Sequence, residues 1–593
     1  MLRTHTCWEL TEKQIDQNVQ LSWWVSNRRD HGWIIFIDLR DRYWVTQIVF
    51  DPEHEKSSWE VADDVRSEYV IQVEWKIRYR PQGQENPKLT TWKIEVICHD
   101  IQVLSKSNTT PFEVSEYSDV TEDVRFKYRY LDLRRKKILN NIEIRDKMNT
   151  FTRDWFHQRD FLEIQTPLFT VSSPEWARDY IIPSRLHPGE FYALPQAPQI
   201  YKQLLMVGGV DKYFQIAPCF RDEDPRADRH SCEFYQIDAE LSFVEQEDVL
   251  QICEQFIHDL VSNIAPHKSL KNNKVLRLTY NEAIEYYGSD KPDLRYDMKM
   301  IDVSSIFQNT EFSVFRSALD NDGIIKAIKF EKTLTRKEID EITQVAQDNW
   351  AKGLAYIIYE DDGPKSPILK FFSDEELKQL EETMQPKTWD MIFFGADSKS
   401  VVNNVLGTVR TTLANNYMDL DQDTLAFAWV TDFPMFELDE DTGKIDFSHN
   451  PFGMPQWGME ALETKDPLEI KAYQYDMVCN GYELLSWAIR NHRPDILLKA
   501  FELTGCSPEY VKEKYNVLFE AFQYGPPPHG GFAFGFDRLM MLLVDKENIR
   551  DMYAFPKSGK AQDMMVWAPS KIDENLLKEL GLTDIIKKYY KNK

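Results

Sequence analysis

"CFRDEDPRADR", residues 219–229, sets four Asp or Glu among three Arg within eleven positions. One reading is a solvated run of surface ion pairs, which contribute little individually. Three further stretches favour a second reading, a site for anionic ligands. "GGFAFGFDRLMML" (530–542) is Gly-rich and then helix-like, with Arg538 placed where a glycine-lined floor gives way to a helix N-terminus. Backbone donors and a rigid guanidinium fork converge at such a place, which suits phosphate. "NGYELLSWAIR" (480–490) carries Glu483 and Arg490 on one segment, and "APQIYKQLLM" (197–206) sets Gln199 and Lys202 three apart, on neighbouring helix positions. Carboxylates able to hold Mg²⁺, beside Arg and Lys for anionic groups, make a set suited to ATP and a carboxylate substrate.

Around these stretches lies a 593-residue chain, enough for roughly three to four domains. Its 42% hydrophobic and 28% charged residues are those of a globular protein, and it holds no run of about 18 apolar residues that could cross a membrane. The start, "MLRTHTCWEL", has no basic stretch followed by an apolar core, so a cytoplasmic location is expected. Cysteines 7, 98, 219, 232, 253, 479 and 506 form no C-x-x-C pair, which suggests neither a zinc site nor a disulfide framework. The formal charge of −26 argues against nonspecific nucleic-acid binding, while leaving room for local basic surfaces that read one RNA.

Residues 18–104 alternate short apolar runs ("VQLSWWV", "WIIFIDL", "TQIVFD", "EYVIQVEWKI", "WKIEVI") with charged or turn-forming pieces such as "RRDHG" and "RPQGQENP". Five strands at that spacing predict a small barrel, of which the OB-fold for single-stranded nucleic acid is one kind and an ordinary β-domain another. A charged connector, "EDVRFKYRYLDLRRKKILNN", leads to helical periodicity in "IRDKMNTFTRDWFHQRDF" and then to mixed strands and helices. Between about 287 and 425 the texture turns polar and loses the dense Arg-carboxylate motifs, which reads as an inserted domain; motif-rich text then returns.

The series as a whole resembles the class II aminoacyl-tRNA synthetases, specifically the bacterial-type aspartyl branch. "FLEIQTPLF" (161–169) looks like motif 1, "CFRDEDPRADRHSCEFYQIDAELSF" (219–243) like motif 2 and "GFAFGFDRL" (531–539) like motif 3. "PEWARDY", "LPQAPQIYKQLLM", "HNPFG", "NGYEL", "AIRNH" and "PPPHGG" are similar to blocks of the aspartate branch. The resemblance implies an α+β multidomain protein: an OB-fold anticodon-binding barrel at 1–106, a connector at 107–140, a class II catalytic domain on an antiparallel sheet at 141–286 and 426–593 with the C-terminal tail, and an inserted α+β domain at 287–425. It also implies a homodimer through motif 1, with ATP and L-aspartate as substrates, Mg²⁺ as cofactor and tRNA(Asp) as partner.

Roles carried over by position follow the same resemblance. Arg221 is expected on the α-phosphate and substrate carboxylate, Arg538 on the γ-phosphate, and Glu223 at the adenine end, with Asp222, Gly535, Phe536 and Asp537 completing the ATP set. Asp476 and Glu483 would hold Mg²⁺. Lys202 and Arg490 would pair with the aspartate side chain, Glu175, Gln199, Gln236 and Asp238 would surround its ammonium group, and His449 would close over it. On the barrel, Arg29, His31, Trp33, Phe36, Gln47 and Gly83 match anticodon-reading positions, although "IIFID" alone equally makes Phe36 a core aromatic. His31 before Gly32, with Gly83 in the "RPQG" turn, resembles enzymes that also accept tRNA(Asn), whose product would need an amidotransferase.

Departures from the family pattern bear on activity. Trp23, Trp33, Trp44, Trp176 and Trp487 stand where the family carries Gly, Pro218 where it usually has Arg, and Ala197 where it has a small hydroxyl residue, while Cys232 follows an altered motif 2 loop. Glycine serves positive φ or a close ligand approach, and an indole satisfies neither without displacement. Trp487 is expected to crowd the aspartate site, or else to point away from it. Because Arg221, Glu483, Arg490 and Arg538 are retained, an active enzyme is the leading reading. An inactive, tRNA-binding relative is the second, and a lysine or asparagine enzyme, disfavoured by the Lys202 and Arg490 pair, is the third.

Overall fold

The computed structural model describes the whole chain except residues 84, 88–90, 173–176, 229, 272–273, 440–441 and 583–593. It divides into two compact units: Met1–Glu143 with Tyr553–Ser570, and Ile144–Met552 with the residues after 570. Residues 553–570 thus leave the C-terminal catalytic stretch, where the sequence placed them, for the N-terminal unit.

In the first unit, β1 (Asn18–Asp30), β2 (Ile35–Arg40), β3 (Val45–Phe50), β4 (Val70–Tyr79) and β5 (Ile94–Ser105) close a barrel in the order β1-β2-β3-β5-β4. All five fall on the expected apolar runs. The closing β3–β5 pair is parallel, at Ile48↔Val96 and Val49↔Ile97, and helix Lys56–Asp64 occupies the long β3–β4 connection that leaves room for it. Alternate residues fill the interior: Val19, Leu21, Ile35, Ile37, Leu39, Ile71, Val73 and Ile77 are buried, as a period of two requires. Trp23 and Trp44 pack against this core. Trp23 is extended and pairs with Ile71, so its position demands no glycine backbone.

The second unit is built on an eight-stranded sheet in the order Leu276–Thr279, Phe427–Thr431, Gln474–Cys479, Tyr482–Ala488, His529–Gly535, Glu233–Ser242, Lys212–Phe220 and Leu162–Glu163. The six central strands are antiparallel as expected, and only the two edge pairs run parallel. Pro218 sits in this ladder opposite Tyr235. One face carries the apolar core, where Phe156 stacks on Phe214 at 4.7 Å and both Phe256 and Phe532 pack against Phe156. The other face carries alternate residues of Glu233–Ser242, namely Gln236, Asp238 and Glu240, opposite Gly535, Ala533 and Gly531. A Cβ on Gly531 would lie 2.2 Å from both Ala239 O and Glu240 Oε2, so only glycine lets these strands approach.

Inside the stretch 287–425 lies a separate five-stranded sheet, Ile301–Asp302, Ile324–Phe330, Met391–Asp397, Ala355–Glu360 and Gly363–Lys365 in that order. Ile328, Phe330, Met391 and Phe393 fill one core against helices Arg336–Asp348 and Lys399–Tyr417, and Ile325, Ala327, Ile392 and Phe394 fill another. Among the described residues, left-handed backbone falls on Trp350, Trp389, Trp457 and Trp567, with φ of 76°, 76°, 63° and 61°, and not on Trp23, Trp33, Trp44 or Trp487.

Candidate functional site

A cleft of about 410 Å³ opens on the polar face of the eight-stranded sheet. Motif 2 contributes Arg221, Glu223 and Gln236, the 474–487 hairpin contributes Asp476, Glu483 and Trp487, and the strand-to-helix junction contributes Gly535, Asp537 and Arg538. His449 lines it from the loop after Phe447 and packs edge-on against Phe433. Four stretches spread between residues 221 and 538 therefore meet in one place.

The hairpin owes its geometry to an irregularity. Asp476 faces Ser486 and Met477 faces Leu485, but Val478 faces Glu483, leaving Leu484 as an extra residue. Asp476 and Glu483 then line the same cleft. Burial pushes the Asp476 carboxyl well above the usual range, and the like charge of Glu483 pushes it further. Asp476 Oδ1 makes no hydrogen bond within the protein. Two adjacent carboxylates, one with a buried free oxygen, form a hard-oxygen donor set that fits Mg²⁺. Arg538 donates to the Glu483 backbone carbonyl and lies 4.0 Å from its carboxylate.

Beyond the cleft sits a buried cluster of four charges. Lys202 Nζ lies 2.7 Å from Asp238 Oδ2 and 3.3 Å from Glu240 Oε2, and Arg490 Nε donates to Glu240 Oε1 at 2.9 Å. All four residues have 0% exposure. Arg490 Nη2 also donates to Gln199 Oε1 at 3.2 Å, while Arg490 Nη1 and Gln199 Nε2 find no partner. Burial lifts Asp238 to about 6 against the pull of Lys202. It also pulls Lys202 down despite Asp238 and Glu240. At Glu240, Arg490 and Lys202 outweigh burial and hold the carboxyl below its ordinary range. Trp487 stands between this cluster and the cleft, with Lys202 Nζ 3.6 Å and Arg490 Cζ 4.3 Å from its ring. It does not point away.

Several expected residues stand elsewhere. Asp222 is exposed and outside the cleft lining, its N–H donating to Arg178 O. The Phe536 side chain is buried in the core, because the junction turns it inward at the first position of helix Phe536–Leu543. Asp537 reaches the lining yet is held by Arg145 and by the Tyr235 N–H at 2.8 Å. Glu175 and Trp176 lie outside the described residues. On the barrel, Gln47 is buried and its amide oxygen accepts from Arg80, Arg29 pairs with Asp38 at 2.8 Å, His31 packs edge-on to Phe36 at 5.4 Å, and Trp33 is 81% exposed. Gly83, at φ +85°, turns the β4–β5 loop. Sequence reasoning missed Glu240 and Asp290. Glu240 was legible from the two-residue spacing in Gln236-x-Asp238-x-Glu240, whereas Asp290 reaches the cleft from a loop with no local signal.

Residues 121–559 match the family described as tRNA synthetases class II (D, K and N). The chain belongs to that family. A second match, to the OB-fold nucleic acid binding domain, spans residues 19–104 of this synthetase, the stretch that forms the barrel. Among curated relatives, the Aspartate--tRNA(Asp/Asn) ligase of Rickettsia felis is 47% identical over 98% of both chains. The ligase of the same name from Chlorobium phaeobacteroides is 46% identical over 98% of this chain and 95% of its own. In fold, the synthetase is similar to the asparaginyl-tRNA synthetase from Pyrococcus horikoshii complexed with asparaginyl-adenylate, with a TM-score of 0.57 at 16% identity, covering 94% of this chain and 99% of that one. It is also similar to the aspartyl tRNA synthetase from Entamoeba histolytica, with a TM-score of 0.56 at 19% identity, covering 94% and 91%. No described helix is long and apolar enough to cross a membrane.

Proposed function

We propose that this synthetase attaches L-aspartate to tRNA(Asp), and also to tRNA(Asn), through an aspartyl-adenylate made from ATP. The observation that carries the reading is the buried Lys202 and Arg490 pair beside a cleft lined by Arg221, Glu483 and Arg538. Its support is the near-full-length identity to ligases named for both tRNAs. Those names lend nothing to an inactive tRNA-binding protein, and the cation pair disfavours a lysine substrate.

In this reading Arg221 grips the ATP α-phosphate and the aspartate α-carboxylate, Arg538 holds the γ-phosphate, and Glu223 meets the adenine end. The carboxylate oxygen attacks the α-phosphorus in line, the bond to pyrophosphate breaks, and the two guanidinium groups neutralise the charge that develops. Asp476 and Glu483 would hold Mg²⁺, which when bound would further neutralise the phosphates. A terminal ribose hydroxyl of tRNA then attacks the mixed anhydride, releasing AMP. Lys202 and Arg490 take the substrate side chain, and Gln199, Gln236 and Asp238 its ammonium group, with His449 above. An asparagine amide would leave cationic donors unmatched, a loss of several kcal/mol.

The barrel reads the anticodon with Phe36 as stacking face and Arg29, His31 and Trp33 around it, whereas Gln47 is buried and held by Arg80. Loop positions His31 and Gly83 set the tolerance for tRNA(Asn), whose aspartyl product an amidotransferase would complete. Leu168 and Phe169 of the motif 1 stretch, with Val171 just beyond it, are 45–64% exposed, which supports a homodimer formed there; the synthetase works in the cytoplasm. The test is aspartate-dependent pyrophosphate exchange against asparagine and lysine, followed by charging of purified tRNA(Asp) and tRNA(Asn). Exchange with another amino acid would overturn the substrate, and strict rejection of tRNA(Asn) would overturn the dual specificity.

A further inference from the structure

The cleft and the buried charge cluster are adjacent but not continuous. Trp487 lines the cleft, whereas Lys202, Arg490, Gln199 and Asp238 do not. Both cations lie against the indole ring, at 3.6 Å and 4.3 Å from its centroid, and neither has any exposed surface. The ring therefore covers the faces of the two groups that a substrate carboxylate must reach. Arg490 Nη1 is left without a hydrogen bond beneath it. The indole N–H is likewise unpartnered, so no hydrogen bond fixes the ring, and cation–π attraction and packing alone hold it there.

We propose that Trp487 is a gate of the amino-acid pocket: the side chain of the amino acid reaches Lys202 and Arg490 only when the indole swings off them. This rests on the reading of aspartate as substrate. The phosphate-binding side of the cleft, at Arg221 and Arg538, lies on the open side of the ring. ATP therefore enters a preformed site, while the amino acid must displace the indole. A ligand whose binding requires a minor conformation has its affinity reduced by the population of that conformation. The same factor applies to any occupant, so the choice of aspartate over asparagine stays with Lys202 and Arg490 themselves.

The experiment compares the parent protein with Trp487→Gly and Trp487→Phe in pyrophosphate exchange, varying aspartate and ATP separately, with asparagine and lysine as alternatives. Trp487→Gly is expected to lower the aspartate KM at least tenfold, to leave the ATP KM within about twofold, and to leave the preference for aspartate over asparagine unchanged. Should the glycine variant fold poorly, fluorine NMR of the parent protein carrying 5-fluorotryptophan reads the gate directly. The resonance missing from Trp487→Phe should shift when aspartate is added and stay in place with ATP alone. An unchanged aspartate KM, or a Trp487 resonance indifferent to aspartate, overturns the gate while leaving the aspartate reading intact. If neither parent nor variant exchanges with aspartate while ATP still binds, the substrate reading fails and the gate with it.

Discussion

Arg490 offers the sharpest test of the buried cluster. Lys202, Arg490, Asp238 and Glu240 are two cations and two anions, all without solvent exposure. In Arg490→Leu, Glu240 loses its 2.9 Å partner and retains only Lys202, at 3.3 Å and already committed to Asp238. One negative charge is then uncompensated in the interior, and breaking a buried pair from one side costs about 3–5 kcal/mol. At ~2.1 cal/mol/K of unfolding entropy per residue, a unit of about 400 residues loses roughly 5 °C of Tm for ~4 kcal/mol. Removing both partners in Arg490→Leu/Glu240→Leu leaves Lys202 and Asp238 as a neutral pair and should recover most of the loss. A double-mutant cycle in urea should thus give a coupling energy of at least ~2 kcal/mol. Pyrophosphate exchange on folded Arg490→Leu should show aspartate activation gone and the ATP KM little changed. A single variant within about 1 kcal/mol of the parent, or an ATP KM that rises in step with the loss of activation, would refute the reasoning.

Arg538→Ala should behave in reverse, raising the ATP KM severalfold in exchange assays before the aspartate KM moves. His529 is buried, and burial drops its imidazole to about 4 from an ordinary 6.5. The unfolded chain then takes up a proton below 6.5 that the folded protein refuses until about 4, so this residue makes stability fall as pH falls through that window. His529→Gln should gain on the parent by up to ~3 kcal/mol between pH 7 and pH 4, read from urea midpoints at both ends. Trp350 and Trp389 are 74% and 52% exposed at left-handed φ, so changing either to Gly should stabilise by about 1 kcal/mol; a loss of stability would mean that packing outweighs strain.

The barrel was readable because each strand alternates inward and outward residues between turn-forming pieces, a signal carried by a few neighbouring positions. The inserted domain showed itself differently, through polar text that lacks the dense Arg-carboxylate motifs, with no strand picked out in it. Chemistry was legible where it depends on residue type: Arg221, Glu223, Asp476, Glu483 and Arg538 do line one cleft. What escaped was orientation. Nothing in "FDRL" tells that Phe536 turns inward and Asp537 is taken by Arg145, or that Arg80, more than thirty residues downstream, occupies the amide of Gln47. Trp487 could be placed near the pocket from its neighbours, but which side of the strand it occupies depends on Lys202 and Arg490 folding beneath it. Left-handed backbone at Trp350, Trp389, Trp457 and Trp567 had no signal at all, since tryptophan ordinarily argues against it.

Glu483 and Ser486 are three residues apart, an odd spacing, which in a regular strand sends two side chains to opposite faces. Both border the same cleft because Leu484 is squeezed in as a supernumerary residue. The hairpin is thus out of phase with itself on purpose. An engineer who smoothed that kink in search of a sturdier sheet would bring Leu484 opposite Val478 and rotate the Glu483 carboxylate towards the phenylalanine side, exchanging a ligand for a buried charge. Ordinary optimisation of regularity would disarm this enzyme at a position where every amino acid had been left unchanged.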